Sequence, residues 1–186
     1  MSLNHTTLSE VCIFKQCGGT PNILDERYWT GNLPWLSSGE TSSLFINDTE
    51  KHITEQAALD YGLKLIPKYS IVIARSGQGH TRGQVSMCMI ETYVNDGLIV
   101  LMPDCKMVNP LYLLYNLHSR YEEIRQLSDA NSCRGNLNVR ILGSMSIDLP
   151  SIEEQNKTSH ILFGLDRLTW IINNINDNLG GAVVAS

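Results

Sequence analysis

The chain has 186 residues, 42% hydrophobic and 18% charged, and its 14 basic and 19 acidic side chains give a net charge of −5. This is the composition of a globular protein with one well-buried domain and an appendage, too short for two ordinary domains. The acidic balance excludes a basic footprint over the whole surface, so binding to nucleic acid would need a local patch.

The cysteines and the apolar segments indicate which kinds of protein this chain is not. The five cysteines show no C-x-x-C pair, and they are Cys12, Cys17, Cys88, Cys105 and Cys133. An odd, scattered set predicts neither a disulfide framework nor a zinc ribbon, and we expect no metal site and no cofactor. Residues 1–10 lack the charged and apolar regions of a signal peptide, and no apolar run approaches the roughly 20 residues of a membrane helix. We therefore expect a cytoplasmic protein without membrane contact.

The first third of the chain alternates short elements with turns. Thr7–Ile13 predicts a strand or a short helix, and Cys17–Pro21 predicts a turn. Between Tyr28 and Leu36, two tryptophans and a tyrosine surround a Gly-Asn turn, and we expect these rings to fix the loop to a core. A polar run follows as a candidate contact loop, formed by Ser37, Ser38, Gly39 and Glu40.

A short helix and two strands are predicted next. Thr54 is a favoured N-cap and Gly62 a favoured residue after a helix end, so the helix should lie between them. Tyr69–Ala74 and Gln84–Ile90 are β-branched or apolar and are bounded by turn residues, which indicates two strands.

The loop between these two strands, Arg75–Gly83, is the main candidate site. Three glycines punctuate it, and its candidate DNA contacts are Arg75, Ser76, Gln78, His80, Thr81 and Arg82. A nucleotide phosphate site is disfavoured, because its glycines would have to open a helix and a P-loop would also need Gly-Lys-Ser/Thr. A solvated hairpin loop whose glycines serve only the turn stays open as an alternative.

The middle of the chain indicates a sheet. Asn95-Asp96-Gly97 predicts a turn before the strand Leu98–Pro103. Strands and turns at such short intervals favour a curled, mainly antiparallel sheet. With the short helices, this predicts an α+β fold.

Asn109-Pro110-Leu111-Tyr112 partly matches the Asn/Asp-Pro-Pro-Tyr motif of amino-methyltransferases. Leu111 replaces the second proline, and no Gly-x-Gly cofactor loop precedes the motif. Asparagine as N-cap and proline in the first turn predict a helix start instead, with His118 on or beside the buried face.

The stretch Ser128–Asn138 is polar and predicts a loop, and its candidate DNA contacts are Arg134, Asn136 and Asn138. An ordinary surface loop is the alternative there. Val139–Leu149 predicts a closing strand that ends at Pro150.

The clearest predicted helix begins with the capping box Ser151–Glu154. Apolar residues then recur in steps of four and three, at Ile161, Leu165, Leu168, Ile172, Ile175 and Leu179. We call this set the apolar stripe. Its heptad spacing predicts a coiled coil with a partner helix, and packing against its own domain is the alternative. The helix is expected to end at Gly180-Gly181.

Several of these motifs occur in an order that resembles one half of the specificity (S) subunit of type I restriction-modification systems. The resemblance rests on Gly18–Pro21, Tyr28-Trp29, Leu33–Glu40, Lys51–Ala57, Lys64–Lys68, Gly77–Gly83 and Leu149–Gln155. It covers nearly the whole chain, as a target recognition domain (1–150), a conserved-region helix (151–179) and a flexible tail (180–186).

The resemblance implies a non-catalytic subunit that reads double-stranded DNA and holds methyltransferase (M) subunits, which methylate adenine, with a restriction (R) subunit joining them. A typical S subunit has two recognition domains and two helices, so a homodimer of this chain could imitate it. Two other functions stay open: a protein-interaction scaffold that does not read DNA, and a DNA-modifying enzyme. A methyltransferase would need a cofactor loop, and a nuclease would need clustered carboxylates with a lysine.

Overall fold

The structure, a computed structural model, describes residues 4–15, 18–77, 79–130 and 136–184. The strands in these ranges are β1 Asn4–Thr7, β2 Cys12–Lys15, β3 Leu33–Leu36, β4 Phe45–Ile46, β5 Lys51–Ile53, β6 Ile71–Ala74, β7 Val85–Cys88, β8 Tyr93–Val94, β9 Leu98–Pro103 and β10 Ser146–Leu149. The helices are α1 Leu8–Val11, α2 Glu55–Asp60, α3 Pro110–Ser119, α4 Tyr121–Ala130, α5 Val139–Gly143 and α6 Ile152–Val184.

A five-stranded sheet in the order β2-β9-β6-β7-β4 forms the centre. Its pairs are antiparallel except β4 with β7, which is parallel. Every residue of β6 and β7 is buried, because both faces of the sheet are covered. Ile71 and Ile73 join the larger core with α3, and Val72 and Ala74 join a second cluster on the opposite face. The predicted α+β fold with a mainly antiparallel sheet is confirmed.

A smaller sheet, β5-β3-β8, carries the aromatic segment. The rings of Trp29 and Trp35 meet edge to face at 5.0 Å, and the Trp35 indole donates to the Gly19 carbonyl at 3.0 Å. A Cβ on Gly31 would lie 2.1 Å from the Ile53 carbonyl oxygen, which explains the glycine there. The predicted fixing of this loop to a core is confirmed.

The predicted caps and short elements near both ends are mostly present. Thr54 accepts from the Ala57 amide, and Asn109 accepts from the Tyr112 amide at 3.1 Å. The Glu154 amide donates to the Ser151 hydroxyl at 3.3 Å and the Ser151 amide donates to the Glu154 carboxylate at 3.2 Å, as a capping box requires. The entry segment contains both predicted alternatives, because β1, α1 and β2 follow one another, and β1 pairs with β10.

Three predictions about residues 118–149 are wrong. The closing strand is only β10, because Asn138 caps α5 and its side chain accepts from the Arg140 amide at 2.8 Å. Residues 128–130 belong to α4 and not to the predicted polar loop. His118 is exposed, because the buried face of α3 is centred on Leu113 and Leu117.

The helix end was also mispredicted, since α6 continues through Gly180-Gly181 to Val184. Glycine costs a helix interior about 1 kcal/mol but keeps its amide donor, so it does not have to end a helix. Residues 180–184, predicted as part of a flexible tail, are helical, and residues 185–186 lie outside the described ranges. None of the helices described is long and apolar enough to cross a membrane.

Candidate nucleic-acid interface

The turn Asn95–Gly97 brings two of the predicted contact loops together. The Asn95 amide donates to the Leu36 carbonyl at 2.9 Å, and the Arg75 amide donates to the Gly97 carbonyl at 2.9 Å. A Cβ on Gly97 would lie 2.8 Å from the Ser38 hydroxyl oxygen. The loop that begins at Ser37 and the start of the central loop therefore lie on either side of this turn.

The third predicted loop reaches the same place from a distant part of the chain. The Leu137 amide donates to the Arg75 carbonyl at 2.8 Å, and the Leu137 side chain is buried. Asn136 is partly exposed and Asn138 is exposed on either side of this anchor. We define the convergent surface as Ser37–Glu40, Arg75–Gly77, Gly79–Arg82, Asn95–Gly97 and Asn136–Asn138.

Within the convergent surface, Glu40 closes its own loop. Its carboxylate accepts from the Ser37 amide and hydroxyl, each at 2.9 Å, and from the Glu50 amide at 2.9 Å. A carboxylate that accepts from three nearby donors holds the backbone of the loop in place. The Ser37 hydroxyl is one of these three donors. Ser38 is partly exposed beside the turn.

The central loop has the glycine-dependent geometry expected of it. Gly77, Gly79 and Gly83 have φ values of 133°, 69° and 87°, in the region that side chains rarely adopt. The Gly83 amide donates to the Ala74 carbonyl at 2.9 Å, which closes the loop where β6 and β7 meet. Gln78 lies outside the described residues.

Helix α4 supports this loop from one side. The Tyr121 hydroxyl donates to the His80 carbonyl at 2.7 Å, and Arg125 donates to the Gly79 carbonyl at 2.9 Å. Arg82 forms an ion pair with Asp129 of the same helix. The sequence reasoning missed these three supports, although their spacing of four residues on a helix is a readable signal.

The predicted contact residues thus occupy different environments. Arg75 and Ser76 are partly exposed and His80 is exposed. The Arg82 side chain is only 15% exposed and faces Asp129, and Thr81 is partly buried beside it. Asn138 is occupied as the cap of α5. Arg134 is another prediction that falls outside the described residues.

Among the residues that the structure describes, no group of three or more His, Cys, Asp or Glu side chains could hold a metal ion. Asn109, the residue of the partial methyltransferase motif, uses its side chain oxygen as a helix cap and donates its amide nitrogen to Asn156 at 2.7 Å. The motif is therefore explained structurally.

Comparison with known families agrees with this arrangement. The sequence model of the type I restriction modification DNA specificity domain matches residues 4–180. The chain belongs to this family.

Two curated relatives of this specificity domain are each 27% identical to it over 155 residues. The specificity subunit of the type I restriction enzyme MjaIX from Methanocaldococcus jannaschii is matched over 81% of this chain and 35% of the relative. The EcoR124I/EcoR124II specificity subunit from Escherichia coli is matched over 82% and 38%. The chain thus spans well under half the length of these relatives.

Solved structures show the same fold. The S subunit of a type I restriction-modification system from M. genitalium superposes with a TM-score of 0.66 at 20% identity, over 89% of this chain and 39% of that one. The HsdS subunit from Thermoanaerobacter tengcongensis gives 0.65 at 18% identity, over 92% and 39%.

One face of α6 packs on the body of this specificity domain. The Gln155 side chain accepts from the Asn109 amide at 2.9 Å, and the Tyr115 hydroxyl donates to Asp166 at 2.5 Å. Burial, and then the bond to Asp166, raises the pKa of the Tyr115 phenol, so Tyr115 remains the donor. The start of the helix is thereby fixed to α3.

The apolar stripe lies on the opposite face of α6. Its exposed fractions are 57% for Ile161, 55% for Leu165, 57% for Leu168, 55% for Ile172 and 51% for Ile175. The alternative that these five residues pack against their own domain is therefore wrong. The side chain of the sixth member, Leu179, is not among those described. An exposed apolar face of this length is available to a partner.

Proposed function

We propose that this chain recognises a specific sequence in double-stranded DNA as the specificity component of a type I restriction-modification complex, and that it directs adenine methylation and restriction by partner subunits. The observation that carries the proposal is the convergence of three loops, two of them beside the turn Asn95–Gly97 and the third bonded to Arg75. A surface assembled from separate loops can contact several successive base pairs, and a local patch suits a protein of net charge −5.

The proposed contacts divide by exposure. Arg75 is the proposed phosphate or guanine contact, because its backbone is fixed on both sides while its side chain stays partly exposed. His80, Ser38, Ser76 and Asn136 are proposed to reach the DNA beside it. Gln78 and Arg134 remain proposals from the sequence alone. Thr81, Arg82, Ser37, Glu40 and Asn138, with their side chains partly buried or internally bonded, are proposed to shape the surface.

Selection from a random duplex DNA library tests this function. We expect the full chain, with modification subunits of the same host, to enrich one sequence. Arg75→Ala should lose about 1–3 kcal/mol of binding free energy and reduce the slope of log affinity against log salt by about 1 if the arginine contacts a phosphate. Failure of the wild type to enrich any sequence would favour an interaction scaffold, and unchanged binding in Arg75→Ala would remove that arginine from the interface.

Residues 1–150 would form the recognition domain, and α6 would provide the assembly element. The exposed stripe supports contact with a second helix, from another copy of this chain or from a methyltransferase subunit, through which the restriction subunit would join. Two copies in antiparallel coiled-coil contact would present identical surfaces, and the DNA target would then be an inverted repeat. The assembly would act in the cytoplasm.

We propose no catalytic role for the chain itself. A methyltransferase would bind S-adenosylmethionine, so calorimetry of the isolated chain with that compound is a direct test. Stoichiometric binding would overturn the non-catalytic assignment.

A further inference from the structure

We propose that α4 acts as a template for the central loop, and that Tyr121 and Arg125 are positioning residues for sequence recognition. This inference rests on the proposed function and deepens it. Tyr121, Arg125 and Asp129 are spaced four residues apart, so they lie along one face of α4. That face contacts the loop at Gly79, at His80 and at Arg82.

The loop needs such a support because of its own composition. Glycines at positions 77, 79 and 83 all adopt positive φ, and a glycine-rich segment has many other conformations available. The bonds between β6 and β7 fix only the base of the loop, through Gly83 and Ala74. The contacts from α4 are made at Gly79 and His80, near the tip of the loop and beyond the hydrogen bonds between β6 and β7.

The contacts from α4 fix the backbone of the loop and leave exposed the side chain that would contact DNA. Both acceptors are backbone carbonyl oxygens, so the bonds do not occupy the side chain of His80, which is exposed. A backbone held in one conformation presents its side chains to DNA without a further ordering cost on binding. Arg82, with its carboxylate partner Asp129, belongs to the support and not to the reading surface.

Tyr121 is the central residue of the template. Its hydroxyl donates to the His80 carbonyl at 2.7 Å and accepts from Arg125 at 2.8 Å, so it links both contacts. Arg125 also lies over the Tyr121 ring at 5.7 Å and packs closely on Gly83, where a Cβ would come 3.1 Å from the Arg125 Cγ. Loss of the hydroxyl alone therefore removes two bonds and leaves the ring contact in place.

The experiment compares Tyr121→Phe with the wild-type full chain by hydrogen exchange and by selection from the random duplex library. We expect amide exchange in segment 79–84 to rise at least about tenfold, with exchange in β9 unchanged. The sequence enriched from the library should become degenerate at some positions. The salt slope should stay at the wild-type value, because no phosphate contact is removed.

Two further variants complete the design. Tyr28→Phe is the matched control, since its hydroxyl donates to Asp60 at 2.9 Å beside the small sheet, and it should change neither measurement. Arg125→Lys keeps the charge but loses the guanidinium fork, so it should give an intermediate increase in exchange.

Unchanged exchange at 79–84 in Tyr121→Phe would overturn the template. A rise in exchange with an unchanged selected sequence and affinity would overturn the positioning role. A wild-type chain that enriches no sequence would instead refute the proposed function, and the exchange measurement would still decide whether α4 orders the loop.

Discussion

The apolar stripe of α6 leads to the sharpest quantitative prediction. Leu168 is 57% exposed and Ile172 is 55% exposed, so slightly more than half of each side chain remains to be buried. Full burial of a leucine or isoleucine is worth about 1.5–3 kcal/mol, and a twofold dimer contains four such residues. Replacing both by glutamate should therefore cost about 3–7 kcal/mol per dimer, which raises the dissociation constant by at least about two orders of magnitude.

Sedimentation velocity across a micromolar concentration range measures this effect. We expect the wild type to associate and the Leu168→Glu, Ile172→Glu variant to sediment as a monomer with unchanged helix content. Trp170→Glu is the control, because Trp170 is a large apolar residue, 67% exposed, on the side of α6 away from the stripe. A wild type that is monomeric at these concentrations, or a Trp170→Glu variant that dissociates equally, would refute the homodimer. The modification subunit would then be the expected partner of the stripe.

Three other predictions concern reactivity, packing and pH. Cys105 should react with a thiol reagent at least about a thousandfold faster than Cys88, as measured by peptide mapping. Cys105 is exposed, whereas burial raises the pKa of the Cys88 thiol to about 12. Equal reaction rates would contradict this prediction. Gly31→Ala should lower the free energy of unfolding by at least about 2 kcal/mol in urea titrations, because the added Cβ would clash with the Ile53 carbonyl. Gly164→Ala, whose Cβ would have nothing within 4 Å, should raise the free energy of unfolding by up to about 1 kcal/mol. The hydrogen-bonded guanidinium of Arg120 lowers the pKa of Glu123, so this carboxylate stabilises the fold above its ordinary pKa and ceases to do so as the pH falls through the lowered value. Glu123→Gln should therefore be less stable than wild type at about pH 7, and the difference in unfolding free energy should shrink as the pH falls toward about 3. A difference that does not change with pH would refute the linkage.

Predictions made from local patterns were the most successful ones. The caps at Thr54, Asn109 and Ser151 are present as predicted, since each bond joins groups three residues apart. The strand Leu98–Pro103 has the predicted limits because its apolar run is bounded by turn residues. Val139–Gly143 was assigned wrongly, because its alternating apolar residues favour a strand while the cap at Asn138 and the burial of Leu142 produce a helix.

Only part of the candidate site could be predicted from the sequence. Arg75 and Arg82 look equivalent in the chain, each an arginine near a glycine in one loop. The structure separates them, since the partner of Arg82 is Asp129, 47 residues away, and no short-range pattern specifies that pairing. Likewise, the heptad spacing of α6 marked an apolar face but did not say whether the domain already covers it.

The sequence by itself determined the features whose partners lie within about one turn of the chain: the helix caps, the glycines with positive φ and the apolar periodicities. Only the tertiary structure decided that Ser38 and Arg75 meet at the turn Asn95–Gly97, that Leu137 bonds to Arg75 there, and that the stripe from Ile161 to Ile175 points away from the core. The physical reason is that contacts between distant segments depend on the register of the whole sheet and on which face of each helix the core covers, and both are properties of the assembled fold.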